Sequence, residues 1–173
     1  MKISDMKKIV VLLALWGGLT MMVRADDAFF DGSTLRLPEL MVFEFQDETP
    51  QLLQDVELQM KTRGEFEMVQ SSEFDYARVD GISSDSEIVA GDPLVVHISG
   101  FKAVDCVRLN PVSVGRFGTA FYLVVTEQPP RDNVRCTTGT QSFLIGETID
   151  TTDLEPGVYD VFVHGLHIQV RLK

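Results

Sequence analysis

Apolar and polar residues alternate with a period of two over much of the chain, and that pattern predicts strands. Met41 to Gln46 reads as one strand. Val56, Leu58 and Met60 alternate with Glu57, Gln59 and Lys61. After a turn at Arg63-Gly64, Phe66 and Met68 alternate with Glu65 and Glu67, which predicts a hairpin across residues 55–70. Leu52, Leu53, Val56 and Met60 also fit a 3.6-residue period, so a helix over 51–62 competes. The alternation favours strand from about residue 55 onward. Residues 71–92 are rich in Ser, Asp and Gly, with Phe74, Tyr76 and Arg78 as a candidate short edge strand. A boundary between subdomains is expected near residue 80.

The C-terminal 90 residues carry the clearest pattern. Pro93 opens a strand from Leu94 to Ser99, with Leu94, Val96 and Ile98 on one face and Gly100 at its end. Val107 and Leu109 form a short segment closed by Pro111. Phe117 to Thr126 is apolar on both faces and reads as one long central strand. Glu127 to Asn133 contains Pro129-Pro130 and is expected to be a loop, followed by a strand from Phe143 to Ile149. The last hairpin can be registered. With a type I′ turn at His164-Gly165, Val163 pairs with Leu166, Val161 with Ile168, and Tyr159 with Val170. The other face pairs Phe162 with His167, Asp160 with Gln169, and Val158 with Arg171. A slip of one residue would bury Gln169 and Arg171, so the register is well specified.

Charge changes the picture at the N-terminus. Residues 1–25 hold Lys2, Lys7, Lys8 and Arg24 against Asp5. Ile9 to Val23 carries no charge, and Val23-Arg24-Ala25 ends the segment with acceptable side chains for a cut before Asp26. Fifteen residues of helix span about 22 Å, short of the roughly 30 Å hydrocarbon core, so a cleaved secretory leader is expected rather than an anchor. The whole chain has a net charge of −11; the remaining 148 residues, with 11 basic against 25 acidic, carry −14. Such acidity argues against binding to phosphate backbones or anionic membranes. It favours a basic protein as partner.

Cys106 and Cys136 are the two cysteines, and both lie beyond the leader. In an oxidising compartment such a pair is expected to form a disulfide. Short strands at roughly ten-residue spacing, turn chemistry between them and no confident helix predict an antiparallel β-sandwich.

Residues 87–173 also carry a resemblance. They run through a strand, Gly100, Cys106, Leu109, a long apolar stretch, Cys136 and Phe143. They end in Asp153-Leu154-Glu155-Pro156-Gly157-Val158-Tyr159 and a hairpin tipped by Gly165. This resembles the small secreted immunoglobulin-like β-domains of bacterial exported proteins, in which Asn-Gly usually stands at the tip where His164-Gly165 stands here. The resemblance implies an all-β, immunoglobulin-like sandwich and brings no catalytic residues. It departs from a true immunoglobulin domain in its short Cys spacing and in having no Trp after residue 25. It therefore implies a disulfide that ties a loop or edge to the central strand.

Candidate chemistry is sparse. His97, His164 and His167 are the only histidines, and no nucleophile elbow accompanies them. His97 falls on the strand face opposite Leu94, Val96 and Ile98, where a solvent-facing role is expected. His164 and His167 lie close enough along the hairpin to suggest a metal site, completed by a carboxylate, although two exposed polar residues explain them better. Asp80 to Glu87 lacks the spacing of a Ca²⁺ loop, and the carboxylates single out no pair for glycoside hydrolysis. One of Phe29 and Phe30 is expected to anchor the N-terminus to the core.

The sequence thus predicts a leader at 1–25, an N-terminal β-rich region at 26–80 packed on the main domain, and an immunoglobulin-like sandwich at 81–173. The expected role is a secreted or periplasmic, non-catalytic binding protein with no cofactor and no catalytic or metal site. The alternatives are an inhibitor of a basic hydrolase, or a metal-dependent protein or enzyme using His97 or His164 and His167.

Overall fold

The computed structural model describes residues 20–23, 28–43, 50–61, 65–130, 135–137 and 139–173. Among these residues all regular structure is strand, and the chain divides into two compact units at Phe74 and Asp75. Most of the expected leader lies outside the described residues, as does the turn at Arg63-Gly64.

The first unit is one antiparallel sheet. It contains β1 (Thr20–Val23), β2 (Phe29–Phe30), β3 (Thr34–Phe43), β4 (Gln51–Met60) and β5 (Phe66–Glu73). Their order is β1-β3-β4-β5, and β2 also pairs with β3. β4 and β5 form the expected hairpin, with Met60 opposite Phe66 and Leu58 opposite Met68. The helix-like spacing of Leu53 and Val56 has a local cause. Asp55 adopts φ 52°, and register shifts interrupt the β4–β5 pairing between Gln54 and Leu58. Three residues apart on a straight strand, Leu53 and Val56 would face opposite ways. The irregularity at Asp55 lets both join one core with Leu37, Leu40, Val42 and Leu58. Leu37 and Leu40 show the same spacing around Pro38, which has no N–H for the ladder.

Phe29 and Phe30 do not anchor the N-terminus by burial. They stay 57% and 42% exposed, and Phe30 meets Phe66 edge-on at 6.4 Å. Backbone pairing to Arg36 and Leu35 holds them instead, with Asp31 accepting the Ser33 and Thr34 amides in the turn.

The second unit is a sandwich. Its larger sheet holds β8 (Glu87–Ile88), β11 (Ser113–Phe117), β12 (Ala120–Val124), β15 (Gly157–Val163) and β16 (Leu166–Leu172), in the order β11-β12-β15-β16-β8. Its facing sheet holds β7 (Arg78–Ser83), β9 (Leu94–Lys102) and β14 (Gln141–Ile149), in the order β14-β9-β7. A small third sheet orders β10 (Arg108–Leu109), β13 (Thr126–Gln128) and β6 (Asp75–Tyr76). Leu94, Val96, Ile98 and Ile149 from one sheet meet Phe121, Leu123, Tyr159, Val161, Val163, Val170 and Leu172 from the other in one core. At roughly 1.5–3 kcal/mol for each fully buried aliphatic side chain, this shared layer is the main stabilising term of the unit.

The final hairpin has the expected register, from Val163 opposite Leu166 to Val158 opposite Arg171. His164 and Gly165 have φ of 48° and 82°, as a type I′ turn requires. Tyr159 is buried, and its hydroxyl donates to the Glu155 carbonyl at 2.9 Å. This is the corner geometry of immunoglobulin-type sandwiches, in which a Tyr hydroxyl bonds backbone just upstream.

Three expectations need correction. Phe117 to Thr126 is not one strand: Phe117 ends β11, a turn at Gly118-Thr119 follows, and β12 runs back against it with Phe117 opposite Ala120. Gly118, at φ 60°, supplies the turn conformation inside what reads as an apolar run. The sheet is also mixed, since β12 lies parallel to β15 and β16 parallel to β8. Gly100 does not end its strand. β9 continues to Lys102, and glycine is needed because a Cβ there would run into the Arg78 carbonyl oxygen and meet the Phe143 ring at 2.7 Å. Arg78 belongs to the six-residue β7, whose bulge at Asp80 turns both Val79 and Ile82 toward the core.

The Cys106–Cys136 disulfide forms, with Cα atoms 5.4 Å apart. It joins two loops rather than a loop and the central strand. One loop follows β9 and the other precedes β14, and these two strands pair from Gln141–Lys102 onward, so the bond closes the open end of that ladder. Asp105 reinforces the closure by accepting the Thr137 amide at 3.0 Å.

Candidate functional site

The three histidines do not converge. His97 is exposed on β9, with Gly146 and Ser83 as its cross-strand neighbours, on the face opposite Leu94, Val96 and Ile98. His164 is half-buried in the hairpin turn. Its Nε2 accepts the Val125 amide at 3.0 Å, and Tyr76 meets its ring edge-on at 5.5 Å. Burial pushes its pKa below the ordinary imidazole value, while a hydrogen bond at the Ala77 backbone works in the opposite direction. Val125 lies between β12 and β13, and its carbonyl accepts the Ala77 amide. The imidazole thus fills a gap in the backbone ladder, satisfying an amide that would otherwise be buried without a partner.

His167 takes another environment. On β16 its Nε2 lies 2.8 Å from Asp160 Oδ1, and the same oxygen accepts from Gln169 at 3.0 Å. These bonds, Gln169 first and His167 second, hold the Asp160 carboxyl below the usual carboxylate range. The His167 ring stacks on Phe162 at 4.6 Å, and Phe162 stacks on Tyr122 at 5.1 Å. Burial, followed by the charge of Asp160, raises the Tyr122 hydroxyl pKa. Three rings therefore stand in a row across β12, β15 and β16, with a carboxylate one register step away. Phe162 and His167 were legible as neighbours from the hairpin register. Tyr122 was not, because it arrives through the parallel β12–β15 pairing of Tyr122 with Phe162.

Two carboxylates of residues 80–87 are engaged separately. Asp80 accepts the Ser99 hydroxyl at 3.0 Å, and Glu87 pairs with Lys173 at 2.5 Å. Asp105, Cys106 and Cys136 bring three ligand-type atoms within 4.8 Å of one another. The two sulfurs are bonded to each other, so no thiolate is offered to an ion. Among the described residues, no helix is long and apolar enough to cross a membrane.

The ring row with its Asp160–His167 pair lies on the sheet face opposite the core, with His167 exposed and Tyr122, Phe162 and Asp160 half-buried. The fold around it defines a β-sandwich protein. Residues 96–172, somewhat less than half of the chain, match the family model of the ORF11 beta-sandwich domain. That stretch runs from within β9 to the end of β16 and so contains the ring row, the disulfide and the last hairpin. No curated protein and no solved structure gives a significant match to the chain.

Proposed function

We propose that this is an exported, non-catalytic β-sandwich that works by binding another protein through an acidic surface. The observation that carries the reading is the partly exposed Tyr122–Phe162–His167 row beside Asp160 on the sheet face opposite the core. Partly exposed aromatic side chains supply contact area at low entropic cost, and a carboxylate beside them favours a basic group on the partner. The net charge of −14 over residues 26–173 supports a basic partner by steering encounter. Export is supported by the character of residues 1–25 and by the disulfide, the form cysteine pairs take in oxidising compartments. The resemblance to bacterial secreted immunoglobulin-like domains points to the same compartment. A basic hydrolase held in check is one form such a partner could take.

The test is capture of partners from an envelope extract at low and high salt, with the unaltered protein and with Phe162→Ala/Asp160→Asn. The reading expects a basic protein that is retained at low salt, weakened by salt and lost with the double substitution. Failure to retain any protein at either salt concentration would sink it.

A further inference from the structure

The first unit carries a strand that the proposed export route would remove. β1 consists of Thr20–Val23, inside the expected leader, and it runs antiparallel to β3 with Thr20 opposite Phe43 and Val23 opposite Leu40. β2 pairs with β3 farther along, at Leu35 and Arg36, and lies beyond the expected cut before Asp26. Cutting there takes β1 away and leaves β2 in place. The backbone of Leu40 to Phe43 then loses its strand on one side while keeping β4 on the other. Unpaired N–H and C=O groups on an edge are a template for another strand. Leu40, Met41 and Val42 are 0%, 4% and 5% exposed in the full chain, so this segment has apolar side chains adapted to cover on both faces.

We infer that processing turns the Leu40–Phe43 edge of β3 into a strand-acceptor site for an extended apolar segment of a partner protein. The inference rests on the export reading above. The backbone pairing of β1 shows the geometry the edge accepts, a four-residue antiparallel strand, and apolar Leu40, Met41 and Val42 favour apolar residues in the incoming strand. Main-chain hydrogen bonds would supply the affinity, and alternate side chains the selectivity. Glu39, next to Leu40, favours a basic residue at the corresponding end of the incoming strand. Net charge disfavours a second copy as occupant. Each processed chain carries −14, so two copies repel one another.

The experiment compares the full chain with protein recovered after export, using intact mass and residue-resolved amide exchange by NMR. The probe is a synthetic peptide of residues 18–25, with a version carrying proline at the positions of Met21 and Met22 as control. The expected result is a processed mass starting at Asp26 and loss of protection at alternate amides of Leu40 to Phe43, with Leu35 and Arg36 unchanged. Adding the peptide restores protection; the proline version does not. An exported protein that retains residues 1–25 overturns the export reading and, with it, the vacated edge. A processed protein that keeps these amides protected, or that ignores the peptide, overturns the acceptor site alone. Protection that returns with protein concentration, together with a doubled mass, overturns the partner strand in favour of a second copy.

Discussion

The two units bury apolar residues by different means. The second closes two sheets on one layer, and thirteen of its described residues form a continuous buried core. The first has a single sheet, with six described residues in its core cluster. In the second unit, simple alternation along β9, β15 and β16 delivers side chains to the shared layer. In the first, β4 needs its irregularity at Asp55 to bring Leu53 and Val56 to one face. The difference teaches that a regular period of two suffices for strands in the middle of a sandwich, whereas β7 at its edge still needs the bulge at Asp80 to bring Val79 and Ile82 to the core. In the first unit the described residues form one sheet, in which β4 depends on a local deviation and β3 on what pairs with its edge.

The largest effect that would sharpen this contrast is expected at Gly100. Gly100→Val drives a side chain into the Arg78 carbonyl and the Phe143 ring, separating β7 from β9. A loss on the order of 4 kcal/mol or more is expected. All three tyrosines, Tyr76, Tyr122 and Tyr159, lie in the second unit, so urea denaturation followed by tyrosine fluorescence reads that unit selectively. Next come matched core truncations. Ile98→Ala in the second unit should cost about 2–5 kcal/mol, and Leu40→Ala in the first should fall at the lower end of that range. Equal losses, measured for the first unit by amide exchange, would break the comparison.

Replacing both Cys106 and Cys136 by Ala releases a loop closed across a sequence separation of 30 and should cost about 3–4 kcal/mol. The tyrosine-monitored midpoint should drop, and exchange in β4 should stay as it was. His164→Asn is a smaller test. Asn tolerates the turn conformation but cannot reach as the imidazole does to the Val125 amide, so a loss of about 1–3 kcal/mol is expected. The smallest effect is the pH dependence of the same residue. The folded-state pKa of His164 lies below the ordinary value of 6.5, so the unfolded chain binds more protons between the two. Its contribution is therefore present above about pH 6.5 and lost as pH falls through the folded value. A tyrosine-monitored stability profile should show this decline in the unaltered protein and lose it in His164→Asn.

Much of the fold was legible because side-chain alternation is local. The β15–β16 register followed from a two-residue turn at His164-Gly165 with apolar pairing on one face, and the β4–β5 hairpin from two alternating runs around a turn. Gly118 was hidden within a stretch apolar on both sides of it, so its turn looked like the interior of a strand. The role of Gly100 depends on a carbonyl 22 residues away in β7, a proximity no local pattern encodes. The candidate site was half legible. His167, Phe162 and Asp160 share a hairpin, whereas Tyr122 joins them through the direct parallel pairing of β12 with β15, with two strands between them in sequence.

By itself the sequence determined the all-β class, the acidity, the leader-like character of residues 1–25 and which faces of the final hairpin are apolar. These follow from composition and from periods of two, which act between near neighbours. Only the tertiary structure decided that β12 runs parallel to β15, that the disulfide joins two loops, and that His164 is spent on the Val125 amide. It also decided that Thr20–Val23 lies along β3. Each of these depends on which distant backbone groups find one another. That choice is made by closing a common core and satisfying its hydrogen bonds, not by any residue's immediate neighbours.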